Sequence, residues 1–120
     1  MSSRTFDIGP AEAFPIGEPR RVAVNGRALA VVRQPNAIYA ARDVCPHQGA
    51  RLSDGHATGT ALPCLPGEEI VFGKIGEILV CPWHGWEYDL RTGRSLIDPE
   101  KTRIRTYPAR IENGRALVEM

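Results

Sequence analysis

Two stretches, Cys45-Pro46-His47-Gln48-Gly49-Ala50 and Cys81-Pro82-Trp83-His84-Gly85-Trp86, decide how the rest of this chain is interpreted. Each stretch offers one thiolate and one imidazole within a few residues. Its proline and glycine restrict or permit the backbone conformations that a tight ligand loop needs. Two sulfur and two nitrogen donors in two short loops are what a mixed Cys/His metal site requires. The two stretches therefore predict a metal centre.

The segments on either side of these loops are short apolar runs closed by turn residues. Asn25-Gly26 and Asn113-Gly114, each flanked by apolar runs, predict two β-hairpins, and residues 34–37 predict another turn. The only helical candidate, residues 11–14, is cut short by Pro15. Since no apolar period of about 3.6 residues is found, the pattern predicts an all-β fold, a meander or small barrel of antiparallel sheets.

Two further segments are less regular. Residues 69–72 and 77–80 are predicted to be two strands joined by Gly73-Lys74-Ile75-Gly76. Residues 103–111 alternate around Pro108, which indicates an edge strand or a bend.

Size and composition exclude several classes of protein. The 120 residues suffice for one compact domain, predicted to span 1–120. Fifteen basic and fourteen acidic residues give a formal charge of +1, which does not favour nucleic acid or an anionic membrane as a partner. The N-terminus lacks the apolar segment of a secretory signal, and no stretch has the roughly 20 apolar residues of a membrane helix. A cytoplasmic location is predicted, and three cysteines there favour metal or thiol chemistry over disulfides.

The ligand pattern bears on the kind of metal. Zinc is the general expectation for two cysteines and two histidines, but in zinc fingers one ligand pair is usually two cysteines and the other two histidines. Here each loop carries one residue of each type. That arrangement suits a two-iron cluster in which one iron takes both thiolates and the other both imidazoles. A zinc-stabilised binding module is kept as a remote alternative.

The two motifs, with Glu87-Tyr88-Asp89 and Thr92-Gly93 after the second, resemble the Rieske [2Fe–2S] family. The resemblance extends over roughly residues 22–118, and residues 107–114 are similar to the closing hairpin of Rieske ferredoxins. It implies a cluster-binding subdomain of two hairpin loops, at about 43–53 and 79–89. It also implies one [2Fe–2S] cluster, with Cys45 and Cys81 binding one iron and His47 and His84 binding the outer iron.

The neighbours of the ligands bear on the reduction potential. High-potential members of the family carry an additional cysteine in each loop and a serine after the His-Gly pair, whereas this chain has Gln48, Trp83 and Trp86 in these loops. Tyr88 matches the tyrosine that donates a hydrogen bond in the family. The resemblance thus implies a low-potential centre of the ferredoxin or oxygenase type, with Gln48, Trp83, Trp86 and Tyr88 around the ligands.

The chain departs from the family in the 33 residues between the ligand pairs, more than most members have. The surplus is placed at about 55–76 and interpreted as a surface hairpin, with a flap for partner recognition as the alternative. Cys64 is interpreted as a free thiol and His56 as a surface residue. Exposed arginines at 51, 91, 94, 103 and 105 are interpreted as a solvated face, although some could steer an acidic reductase.

No residue has the character of a substrate nucleophile or an acid–base pair, so no catalytic residue is assigned. The resemblance implies a soluble one-electron carrier, the ferredoxin component of an oxygenase-type system with a flavin reductase as donor and an oxygenase as acceptor. The alternative is a small non-catalytic subunit of a larger oxidoreductase such as nitrite reductase.

Overall fold

The computed structural model describes residues 4–35, 37–46, 49–61, 72–82, 85–96, 100 and 102–120. Nearly all regular structure in this part of the chain is β. The strands are β1 (Thr5–Pro10), β2 (Arg20–Val24), β3 (Arg27–Gln34), β4 (Ala37–Arg42), β5 (His56–Ala61), β6 (Phe72–Val80), β7 (Glu87–Asp89), β8 (Thr106–Tyr107), β9 (Ala109–Glu112) and β10 (Arg115–Glu119). Two 3₁₀ turns, Ala11–Ala13 and Leu52–Asp54, are the helical elements of the described residues. The predicted all-β fold of small antiparallel sheets is confirmed.

The strands form three antiparallel sheets with the orders β1-β10-β9, β2-β3-β4-β8 and β5-β6-β7. In the four-stranded sheet, residues 29–32 of β3 are buried without interruption. Leu29 and Val31 pack in one apolar cluster with Phe14 and Val118, towards the sheet that holds β1 and β10. Ala30 and Val32 belong to a second cluster beneath the ligand loops. Because both faces of β3 are covered, its sequence is a continuous apolar run rather than an alternating one.

Both predicted Asn-Gly hairpins are confirmed. Asn25 (φ 51°) and Gly26 (φ 77°) connect β2 to β3, and Asn113 (φ 52°) and Gly114 (φ 75°) connect β9 to β10. Positive φ at both central residues is the geometry of a type I′ turn, whose twist matches that of the flanking strands. The turn predicted at 34–37 also joins two strands, since Gln34 of β3 pairs with Ala37 of β4.

One strand prediction is wrong. Gly73–Gly76 does not form a turn, because the single strand β6 runs from Phe72 to Val80. The glycines coincide with an irregularity in the ladder, where Thr58 pairs with Ile78 but Thr60 pairs with Gly73. Glycine inside a strand often marks such a bulge rather than a turn.

Pro108 marks a change of sheet. Tyr107, before it, pairs with Ala40 in the four-stranded sheet, and Ala109, after it, pairs with Val118 in the sheet of β1 and β10. The predicted bend at Pro108 is therefore confirmed. In the part of the chain that the structure describes, no helix is long and apolar enough to cross a membrane.

Candidate metal centre

The two ligand stretches form turns of equal length. The backbone N–H of Cys45 donates to the carbonyl of Ala50 at 2.8 Å, and that of Cys81 donates to the carbonyl of Trp86 at 2.7 Å. In each turn the glycine before the closing residue has a positive φ, 74° at Gly49 and 68° at Gly85. A side chain would be strained in this left-handed conformation, which explains the glycine in both stretches.

Both cysteines lie at the base of their turns, inside the protein. Cys45 and Cys81 are 1% and 2% exposed, and both belong to the apolar cluster that also contains Leu52 and Leu79. Neither is in a disulfide. The prolines and glycines at the tips of the turns are exposed. Each turn thus carries its sulfur inwards and its tip outwards.

The hydroxyl of Tyr88 lies 3.3 Å from the sulfur of Cys45. Tyr88 is fully buried on β7, and burial, together with its contact with Cys45, raises its pKa above the ordinary value. The phenol thus stays protonated over the neutral range and can donate to the sulfur.

The first turn is held at its base by a buried carboxylate, Asp43. One of its oxygens accepts from the backbone N–H of Ser53 at 2.7 Å, and the other accepts from the Ser53 hydroxyl at 2.5 Å. The guanidinium of Arg21 on β2 also donates to that second oxygen at 2.8 Å. The Asp43 side chain is fully buried and that of Arg21 is 41% exposed. These bonds close the loop that contains Cys45 and tie it to the four-stranded sheet.

Sequence reasoning missed Asp43, Ser53 and Arg21. Neither Asp43 nor Ser53 belongs to a motif, and Arg21 precedes them by more than 20 residues. The available signal was local, since an acidic residue two positions before a buried cysteine must find partners when it is buried.

The predicted site residues are only partly described. The structure brings Cys45, Cys81 and Tyr88 together in one buried cluster, and Trp86 packs against it, partly buried. His47, Gln48, Trp83, His84 and Cys64 lie outside the described residues. Among the residues that are described, no group of three or more Cys, His, Asp or Glu side chains comes together as a metal site. His56 is exposed at the start of β5, as predicted.

The predicted insertion at 55–76 lies partly in regular structure. Residues 56–61 and 72–76 belong to β5 and β6, where Thr60 pairs with Gly73 and Ala61 with Phe72, and residues 62–71 lie outside the described part of the chain. Gly55, at the entrance, packs so closely on β6 that an added Cβ would lie 1.8 Å from the carbonyl oxygen of Val80. The first residues of the predicted insertion are therefore an integral part of the sheet that leads into Cys81.

The residues present fit an iron–sulfur cluster. The thiols of Cys45 and Cys81 are buried in apolar surroundings within two matched turns. Thiolates at such positions need a metal to balance their charge. The Tyr88 hydroxyl is aimed at one of the sulfurs, as expected where sulfur carries negative charge.

Comparisons with known proteins agree with this chemistry. The family model of the Rieske [2Fe–2S] domain matches residues 4–66 and 67–108. The ferredoxin component of the naphthalene 1,2-dioxygenase/salicylate 5-hydroxylase systems of Ralstonia sp is 33% identical over 120 residues, which cover 100% of this chain and 99% of that protein.

Two solved structures are similar in fold. A chain in the complex of reduced oxygenase and oxidised ferredoxin of carbazole 1,9a-dioxygenase is 26% identical, with a TM-score of 0.71 and coverage of 95% of this chain and 91% of that one. A putative nitrite reductase small subunit from Mycobacterium tuberculosis has a TM-score of 0.78 and covers 100% and 97%, but it is 21% identical and shows the fold alone.

Proposed function

The chain belongs to the Rieske [2Fe–2S] family, and from this premise we propose that it passes single electrons to the oxygenase component of a dioxygenase-type system. The observation that carries the proposal is the identity of 33% with a ferredoxin component over the whole of both chains. The buried thiols of Cys45 and Cys81 at the bases of matched turns supply a site for the cluster.

The proposed ligands are the four residues of the two motifs. Cys45 and Cys81 are proposed to bind one iron, and their burial in the apolar cluster supports this assignment. His47 and His84 are proposed to bind the other iron. This assignment is supported by the match of the two motifs to the family pattern.

When bound, the cluster supplies a centre that takes up and releases one electron without substrate chemistry. The protein controls the surroundings of that centre. Leu52, Leu79 and Leu90, buried in the same cluster as the two cysteines, keep water away from the sulfurs. The Tyr88 hydroxyl donates towards the sulfur of Cys45, which stabilises negative charge there and raises the reduction potential.

We place the reduction potential in the lower part of the Rieske range, which extends from roughly −150 to +300 mV. The loops lack the additional cysteines and the serine of high-potential members. The hydrogen bond from Tyr88 to the sulfur of Cys45 raises the potential within that lower part of the range.

The proposed partners are an oxygenase as electron acceptor and a flavin reductase as donor. The acceptor is supported by the likeness to a chain in a complex of oxygenase and ferredoxin. The donor follows from the chemistry, because a one-electron carrier needs a reductase that divides the two electrons of a hydride, as flavins can. The fold is shared with a nitrite reductase small subunit and therefore does not separate the two functions. The full-length identity to ferredoxin components favours the carrier.

The first experiment is a visible absorption spectrum before and after dithionite, with iron and acid-labile sulfide counted on the same sample. We expect about two irons and two sulfides per chain and partial bleaching on reduction. The variants His47→Ala and His84→Ala should lose the cluster. His56→Ala, which changes the third histidine of the chain, is the matched control and should keep it.

Two results would contradict the proposal. A colourless protein with one zinc and no sulfide would make the motifs a structural zinc site. A full iron and sulfide content in His47→Ala or His84→Ala would show that the imidazole assignment is wrong. Stable co-purification with a larger polypeptide would favour the subunit over the free carrier.

A further inference from the structure

Four exposed arginines form a continuous row on the flank of the cluster-binding region. Arg42 is the last residue of β4, where it pairs with Leu29 of β3, and its N–H donates to the carbonyl of Arg105 at 2.8 Å. Arg103 lies two residues before Arg105 in an extended segment, and it forms an antiparallel bridge with Arg94. Two of the steps cross between strands, at about 5 Å each, and one runs about 7 Å along the strand at right angles to them, so the four Cα atoms span roughly 12 Å.

The four side chains share one side of the molecule. Directly paired residues point to the same face of a ladder, as do residues two apart on an extended strand. Arg103 and Arg105 line one shallow groove of about 440 Å³ with Thr92 and Thr106. The guanidinium of Arg105 lies 5.3 Å from the centre of the Tyr107 ring, which fixes its direction.

None of the four arginines forms an ion pair in the described part of the chain. The ion pairs that the structure describes involve other arginines, such as Arg91 with Glu77 and Arg110 with Glu112 and Glu119. Like charges directly opposite each other across a ladder, as at Arg94 and Arg103, destabilise a sheet. The whole chain has a formal charge of only +1, so this concentration of four arginines is a local feature and not the consequence of a generally basic protein. It is present although the repulsion between Arg94 and Arg103 lowers the stability of the sheet.

The row begins close to the ligand loops. Leu96, two residues after Arg94, donates its N–H to the carbonyl of Glu87, and Glu87 directly follows the turn that Cys81 and Trp86 close. A protein that covers the tips of the two turns and extends down this flank therefore meets the arginines. Nucleic acid fits less well, because four arginines can neutralise only about four phosphates.

We propose that Arg42, Arg94, Arg103 and Arg105 are the docking surface for the acidic face of a protein redox partner. The inference rests on the proposed electron-carrier function and adds the partner's charge and the place where it docks. Such a surface raises the association rate by electrostatic steering and fixes the orientation in which the partner approaches the ligand loops.

The test uses the intact, cluster-loaded protein with an acidic flavodoxin as the probe. Binding is measured by calorimetry with oxidised flavodoxin, and electron transfer from its hydroquinone is followed by stopped flow from about 20 to about 500 mM NaCl. The test variant is Arg94→Glu/Arg103→Glu. The control is Arg4→Glu/Arg20→Glu, which makes the same change of charge elsewhere. Arg4 is hydrogen-bonded to Met120 beside the sheet of β1 and β10, and Arg20 lies on β2, the edge strand farthest from β8 in the four-stranded sheet. Each substitution lowers the formal charge by two, so both variants go from +1 to −3.

We expect the test variant to lose at least about tenfold in affinity and in association rate at low salt, and to lose most of its salt dependence. The control should stay within about threefold of the wild type. A milder variant, Arg94→Gln/Arg103→Gln, should bind more weakly yet melt at a higher temperature, because it relieves the repulsion across the ladder.

Several outcomes would overturn the proposal. One is equal loss in both double variants, which would mean that only net charge matters. Others are no salt dependence in the wild type, or tighter binding of a short DNA duplex than of flavodoxin through the same arginines. Absence of iron and sulfide would instead contradict the proposed function, so the two failures are distinguishable.

Discussion

Replacing Tyr88 by Phe removes the hydroxyl 3.3 Å from the sulfur of Cys45 and keeps the buried ring. A hydrogen bond to sulfur is stronger when the sulfur is more negative, so its loss destabilises the reduced protein more than the oxidised one. A difference of about 1 kcal/mol is typical of one hydrogen bond. For one electron, 59 mV corresponds to a tenfold change, or roughly 1.4 kcal/mol. The reduction potential of Tyr88→Phe should therefore fall by about 40 mV.

The assay is a potentiometric titration followed by visible absorption, with iron and sulfide counted to show that the cluster is retained. The matched control is Tyr39→Phe, since Tyr39 packs, partly buried, against the same apolar cluster. We expect its potential to change by less than about 10 mV, because its hydroxyl makes no described bond to a ligand sulfur. An unchanged potential in Tyr88→Phe, or an equal shift in the control, would refute the reasoning.

Three further predictions concern the scaffold. Asp43→Ala breaks a buried charged network, so it should lower the free energy of unfolding in denaturant by about 3 kcal/mol and speed the release of iron. Iron retention equal to that of the wild type would show that the loop does not need this closure. Gly55→Ala should cost at least about 2 kcal/mol, since its Cβ would overlap the carbonyl of Val80; an unchanged denaturation midpoint would mean that β5 shifts freely. Hydrogen bonds from Arg115 and from the backbone lower the pKa of Asp7. The ionised Asp7 therefore contributes to the stability of the folded protein at pH values above its ordinary pKa of 3.8, and this contribution is lost as the pH falls through the lower pKa of the folded state. The difference in melting temperature between wild type and Asp7→Asn should accordingly shrink in acid, and a constant difference would contradict the assignment.

The sequence determined the local parts of this protein. The two Asn-Gly pairs specified their hairpins because positive φ at consecutive residues is a property of those residues and not of their surroundings. The two cysteine motifs identified the family, and the bend at Pro108 followed from the missing N–H of proline. The error at Gly73–Gly76 has the opposite cause, because glycine allows both a turn and a bulge, and only pairing with β5 selects the bulge.

The tertiary structure decided the contacts between distant segments. Tyr88 reaches Cys45 across 43 positions of the chain, and Asp43 meets Arg21 across 22. The arginine row combines residues from three separate segments, and it exists only because Arg42 lies opposite Arg105 and Arg94 opposite Arg103. Strand register is set by the packing of whole sheets, and a slip of one residue would turn every side chain to the other face. The motifs therefore predict the ligands and specify the turns, whereas the strand pairing decides what surrounds the sulfurs and which charges line the flank of the turns.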